Sequence, residues 1–145
     1  MEREGYVPGE ASRVVRNTLV GARKAVAADS GPAIEVRYFE VPPGASTRLE
    51  KHEHEHFVIV GEGRGHAIVG TEVCEVGKHD VVYVASLEPH QFVNRGAETF
   101  GFFCIVNAHR DPGRAIDAAE LAALSASAAN SFVDPEVVPR TRETP

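Results

Sequence analysis

The chain has 145 residues, 43% of them apolar and 25% charged, which suits one globular domain with a sizeable core and excludes disordered and collagen-like classes. Fifteen Lys and Arg against 21 Asp and Glu give a formal charge of −6. Phosphate counter-ion release then has little to work with, which argues against a nucleic-acid partner.

No apolar run approaches the roughly 20 residues of a membrane helix, and the opening Met1-Glu2-Arg3-Glu4-Gly5 lacks a basic-then-apolar leader pattern. A cytoplasmic protein with no membrane partner is expected. Cys74 and Cys104, each inside an apolar run, are read as reduced thiols in that compartment. In chain order, residues 13–28 mix apolar and basic residues around Gly21, and fit either a short helix or an extended arm. From 34 to 41 the run IEVRYFEV alternates weakly, is rich in β-branched and aromatic residues, and stops at Pro42-Pro43-Gly44. The same grammar recurs at 57–60 (FVIV), 66–70 (HAIVG), 72–76 (EVCEV), 81–84 (VVYV), 91–94 (QFVN) and 99–106 (TFGFFCIV). Short strands at about ten-residue spacing with no helical pattern between them predict an all-β antiparallel sandwich or barrel of six to eight strands. After Asp111-Pro112-Gly113, the Ala-rich run 114–129 predicts a short helix that starts near Asp111 or Pro112. Residues 130–145 have no period and read as a partly ordered tail.

The candidate chemistry lies in the histidines. Lys51-His52-Glu53-His54-Glu55-His56 alternates charge and imidazole, and on a strand residues two apart share a face, so such a run can aim two rings at one point. Alone it would also suit a solvated charged turn. A second histidine-bearing segment, 81–94, tells against that, because His90 follows a strand and a Pro-containing turn and precedes Asn94. Together the two segments resemble the paired motifs of the cupin superfamily. The first runs Gly, five residues, His, one residue, His, three or four residues, Glu, six residues, Gly, and here Glu50 stands where the first His is usual and His56 where the Glu is usual. It falls without a gap on Gly44, Glu50, His52, His56 and Gly63. The second falls on His79, Ala85, His90 and Asn94, where the family has Gly, Pro, His and Asn.

The resemblance spans about 34–107 and implies a cupin-type double-stranded β-helix, a jelly-roll barrel, over 34–110. An N-terminal arm over 1–33 and a C-terminal helix and tail over 111–145 would flank it. It implies one divalent transition metal, Fe, Mn, Ni or Zn, held by His52, His56, His90 and Glu50. His54 is the alternative to Glu50: by strand period it can share the face of His52, with Glu50 then a hydrogen-bonding partner of a ligand. Exchanging one His for Glu keeps three nitrogens and a carboxylate, with positions left open for water or substrate. Phe92 should share the face of His90. The face of the last strand that carries Phe102 and Cys104 is, by the resemblance, the one turned toward the metal, with Cys104 a cavity-wall thiol. His66, His79 and His109 have no partners at ligand spacing.

Two functions fit. One is a metal-dependent enzyme acting on a small oxygenated molecule as dioxygenase, isomerase or lyase; the other is a non-catalytic cupin that senses or sequesters a small ligand. The catalytic residues themselves are not named by the sequence. A homodimer is expected, formed through sheet edges and the arm over residues 6–26.

Overall fold

The computed structural model describes residues 2–3, 13–16 and 33–139. Nine strands follow one another: β1 (Glu2–Arg3), β2 (Arg13–Arg16), β3 (Ile34–Val41), β4 (His56–Glu62), β5 (Arg64–Val69), β6 (Glu72–Gly77), β7 (Val81–Val84), β8 (His90–Val93) and β9 (Phe100–Asn107). They form a six-stranded sheet in the order β1-β2-β3-β9-β4-β7 and a three-stranded sheet in the order β6-β5-β8, and every pairing is antiparallel. The seven strands between 34 and 107 are those the alternating runs predict, and the fold is the all-β jelly-roll barrel. Of the segment 13–28, Arg13–Arg16 is extended and pairs with β3; 17–28 lie outside the described residues, as does most of the arm over 6–26. No described helix is long and apolar enough to cross a membrane.

Alternation sorts each strand of the large sheet into two faces. Phe39, Val41, His56, Val58, Val60, Phe100, Phe102, Cys104 and Val106 point into the barrel, and Val36, Tyr38, Phe57, Ile59, Phe103 and Ile105 point out. Ala67, Val76 and Phe92 of the small sheet close the core from the other side. The opposite face of the small sheet is covered too, where Ile68 and Val93 pack with Leu49, Leu124 and Ala129.

That cover is the C-terminal segment, and it departs from the sequence expectation. The helix α1 runs only from Ala118 to Ser125, not from 114 to 129. Its cap is Asp117, whose carboxylate accepts from the Glu120 amide while the Glu120 side chain accepts from the Asp117 amide, a reciprocal pair that fixes the start. Asp111 cannot serve as that cap because 111–114 is held elsewhere: Arg114 pairs with Lys51 through both backbone bonds. A single 3-10 turn, Ala128–Ser131, follows. The chain beyond it is tied down, with buried Gln91 donating to the carbonyls of Thr47 and Asp134 and accepting from the Asp134 amide. The described part of the predicted tail is thus held to the barrel, with Leu49 N–H also donating to the Val137 carbonyl at 2.7 Å.

Left-handed turns explain the glycine positions of both motifs. Gly44 and Gly63 have φ of +78° and +67°, and a Cβ on Gly63 would also collide with the Thr99 carbonyl. His79 has φ +77°, so it takes the left-handed turn where the family has glycine and carries the strain that a side chain brings there.

Candidate metal centre

His90 opens β8, His56 opens β4, and His52 sits just before the bend that leads into β4. Residues 50 and 90 are joined by paired backbone bonds, Glu50 N–H to the His90 carbonyl at 3.2 Å and His90 N–H to the Glu50 carbonyl at 3.0 Å. This bridge seats the segment before β4 beside β8. His52, His56 and His90, all buried, then converge so that one ring nitrogen from each lies within 4.8 Å of the others.

The backbone decides which nitrogens face inward. His52 Nδ1 donates to the His54 carbonyl at 2.7 Å, and His90 Nδ1 donates to the Glu88 carbonyl at 2.9 Å; a carbonyl only accepts, so both Nε2 atoms carry a lone pair. His56 has two arrangements. Its Nε2 can donate across 3.3 Å to His90 Nε2 while the Cys104 thiol, 3.3 Å from Nδ1, donates to the other nitrogen. Alternatively Nδ1–H turns to the Cys104 sulfur and two Nε2 lone pairs face one another, which repel unless a cation lies between them. Two nitrogens bound at about 2.1 Å with tetrahedral angles stand about 3.4 Å apart. The 3.3 Å separation of the His56 and His90 Nε2 atoms matches that spacing. The residues present fit a metal ion.

Electrostatics point the same way. Burial lowers the pKa of His56 to about 2 and of His90 to about 4, with the neighbouring imidazoles adding to the burial effect, and burial lowers His52 as well. All three are neutral at pH 7, the form that binds metal. Burial pushes the Cys104 thiol up, so it stays protonated.

Glu50 and His54 line the same cavity but stand outside the close group of three. The Glu50 carboxylate lies 3.5 Å from Arg48 and packs on Gly113, where any Cβ would collide with it. His54 lies in the bend between His52 and β4, its ring stacked on His52 at 3.6 Å and 7° from parallel. Its Nδ1 meets the Asp111 carboxylate at 2.7 Å, which leaves Nε2 outside that pairing. Asp111 also accepts from the Glu53 and His54 amides. Burial opposes its ionisation, yet these three donors outweigh it and hold the carboxyl far below the usual range. Asp111 therefore clasps the loop that carries His52 and His56. The sequence places it near the start of the predicted helix, and only the long-range contact to residues 53 and 54 shows its role.

The histidines sit in the wall of a cavity of about 880 Å³. Phe92, Phe102 and Cys104 line it, joined by Phe39, whose ring stacks on Phe102 at 5.5 Å. Arg37, Arg48 and Arg110 line it as well, and the sequence reading named none of them. The signal for Arg37 is its place on the inward set Glu35, Arg37, Phe39 of β3, legible once the facing of that strand is known.

Comparison with known proteins agrees with this architecture. Residues 37–106 match the Cupin_2 family model, described as a cupin domain. The chain is 42% identical over 113 residues to the 1-methylthio-D-xylulose 5-phosphate methylsulfurylase of Rhodospirillum rubrum, covering 77% of this chain and 72% of that one. Among solved structures, a cupin-2 domain protein of the same organism superposes with a TM-score of 0.70 at 36% identity, covering 90% of this chain and 82% of that one. A cupin 2 domain-containing protein of Halorhodospira halophila gives 0.65 at 37% identity, covering 81% and 90%. The polyketide cyclase RemF of Streptomyces resistomycificus gives 0.61 at 27%, covering 78% of each chain. With the motif residues, the jelly-roll barrel and these matches in agreement, the chain belongs to the cupin family.

Proposed function

We propose that this chain is a metal-dependent cupin enzyme acting on a small phosphorylated hydroxyketone that carries an apolar end group, the chemical class named by its Rhodospirillum rubrum relative. One observation carries the reading: a single cavity combines three neutral imidazoles, a phenylalanine wall and three arginines. Each matches one part of such a molecule. Vicinal oxygens can chelate an ion, an apolar thioether packs on Phe39, Phe92 and Phe102, and a phosphate pairs with guanidinium.

His52, His56 and His90 would hold the ion, with Glu50 as the fourth donor and His54 as its substitute. The ion, one of Fe, Mn, Ni or Zn, would supply a Lewis acid that polarises a carbonyl oxygen. Whichever of Glu50 and His54 does not bind it remains in the cavity wall as the nearest proton acceptor. The phenylalanines exclude water from the reacting end. Two free thiols, Cys104 buried and Cys74 exposed, suit a cytoplasmic setting.

The test is turnover. Protein loaded in turn with each of the four metals is expected to consume 1-methylthio-D-xylulose 5-phosphate, followed by mass spectrometry, and elemental analysis of the isolated protein names the resident ion. Iron accompanied by O₂ uptake would move the reaction to oxygenation. Tight binding without turnover under every metal would overturn the enzyme reading in favour of a ligand-binding cupin.

A homodimer belongs to the same reading, supported by the outer face of the large sheet. Val36, Phe57, Val81 and Tyr83 on β3, β4 and β7 are each about half exposed, and Ile105 of β9 lies between Val36 and Phe57 in register. Four strands about 4.8 Å apart and up to eight residues long give a flat footprint on the order of 400 Å². Side-chain relief raises its accessible area toward the roughly 800 Å² per partner of a standard interface. Because the face carries mostly apolar side chains, a second copy of itself is the matching occupant. Light scattering is expected to give twice the chain mass at tens of micromolar; a monomer mass there would overturn it.

A further inference from the structure

We propose that Arg37 and Arg110 form the phosphate-binding end of the cavity, and that Glu35 occupies it in the ligand-free protein as an internal anion that the substrate displaces. The inference rests on the phosphorylated-substrate reading above and deepens it by assigning the residues that recognise the phosphate.

Glu35 and Arg37 stand on the inward face of β3, opposite Val106 and Cys104 of β9, and Arg110 follows just beyond the end of β9. The Glu35 carboxylate reaches both cations, 3.1 Å from Arg110 Nη1 and 3.7 Å from Arg37 Nε. The second distance is beyond hydrogen-bond reach, and Arg37 Nε is buried with no hydrogen-bond partner. An inward guanidinium with an unspent donor is costly to hold in a barrel, and a ligand oxygen is what would satisfy it. The charge count agrees: two guanidiniums face one carboxylate, so the cluster keeps a net positive charge in a chain whose total is −6.

Arg37 is fixed for the role. Its guanidinium lies 5.0 Å over the Phe39 ring, and Nη2 is 3.8 Å from Cys104 Sγ, which is itself 3.3 Å from His56. The anion end is thus two contacts from the imidazole group, a span that a five-carbon sugar phosphate bridges. Arg110 is anchored by the Asn107 and Ala108 carbonyls. Glu35 is the exposed member, with 42% of its side chain in water against 27% for Arg37 and 22% for Arg110. It can swing to solvent and give up only a weak exposed ion pair, whereas a phosphate dianion offers each arginine a charge-assisted bond.

Isothermal titration calorimetry on the metal-loaded protein tests this with D-xylulose 5-phosphate against D-xylulose. Arg37→Gln and Arg110→Gln are each expected to weaken the phosphate ester about tenfold or more and leave D-xylulose binding and metal content unchanged. Glu35→Gln should do the opposite and tighten the ester several-fold, because the internal competitor is gone. The Glu35 and Arg110 variants keep the test decisive if Arg37→Gln does not fold. Equal affinity of wild type for ester and free sugar, or looser ester binding by Glu35→Gln, would overturn the proposal. Arginine-dependent ester binding without turnover would sink the proposed reaction and leave this site standing. Turnover with KM unchanged in both arginine variants would do the reverse.

Discussion

The two sheets differ in what lies behind them. The three-stranded sheet is covered on both faces, by the barrel core on one side and on the other by Leu124, Ala129 and the stapled tail, so all four residues of β8 are buried. The six-stranded sheet turns its polar chemistry inward, with Arg37, His56 and Cys104 facing the cavity, and leaves apolar side chains facing out. Among the described residues, the C-terminal segment covers the outer face of the small sheet. The difference teaches that on the large sheet buried polarity and exposed apolarity sit on adjacent residues of the same strands, as in Val36 and Arg37, His56 and Phe57, and Cys104 and Ile105, and that the small sheet's stability depends on a segment remote in sequence.

The largest expected effect breaks the cover of the small sheet. Leu124 is 1% exposed against Ile68 and Val93, and Leu124→Ala should cost about 2–5 kcal/mol of unfolding free energy by urea titration. A loss below the effect of an exposed substitution would mean that the helix is not part of the folded unit.

Next comes the seam between the sheets. His90→Ala removes the only cavity imidazole supplied by the small sheet and should weaken metal binding by more than about a hundredfold in a Co(II) titration. Full metal retention would sink the ligand assignment. Replacing Glu50 and His54 singly then separates the two candidate sets, since the true fourth donor should weaken binding far more than the other. Asp111→Asn should cost less, about tenfold, because it loosens the clasp on residues 53 and 54 without removing a ligand.

How much of this was legible follows from distance along the chain. The strands are set by alternation, which is local, whereas the face of β9 that carries Phe102 and Cys104 and the grouping of His52, His56 and His90 come with the cupin resemblance, since the two histidine segments meet only through the Glu50–His90 pairing. His79 hid a left-handed turn because only φ, not residue type, reveals it. Asp111, Glu35, Arg37 and Arg110 were illegible because each acts across a pairing dozens of residues away: Asp111 on the 53–54 amides, and Arg37 beside Cys104 through the β3–β9 register. The start of α1 was misplaced for the same reason, since Lys51 holds Arg114 out of the helix.

The seam also sets a pH response. His56 and His90 have folded pKa values well below the unbound imidazole near 6.5, so the unfolded chain takes up protons first as pH falls. Their contribution to stability is complete above about 6.5 and is lost progressively down toward about 4, the folded value of His90. Asp111, held ionised by its donors, keeps its clasp through that window. Protons also compete with the ion for neutral nitrogens, so melting temperature and metal content should fall together from pH 7 to pH 4, and chelator should reproduce part of the loss at pH 7. A melting temperature indifferent to verified metal removal would show a preformed site that contributes nothing measurable to the fold.

The smallest effect on the chain itself belongs to the half-exposed outer face of the large sheet. Val36 is 57% exposed and Phe57 46%, so Val36→Ser or Phe57→Ser removes little buried area within one chain and should shift its unfolding free energy by no more than about 0.5–1 kcal/mol at high dilution. The same changes should matter far more to association, because an isologous interface feels each substitution twice across the two-fold axis. If the proposed dimer forms through this face, light scattering of Val36→Ser/Phe57→Ser is expected to show monomer at tens of micromolar, where twice the chain mass is expected of the wild type, with metal content and ligand affinity preserved since the inward faces of β3 and β4 are untouched. Were the double variant to unfold like Leu124→Ala, the outer face would be covered within one chain, and the contrast between the two sheets would fail.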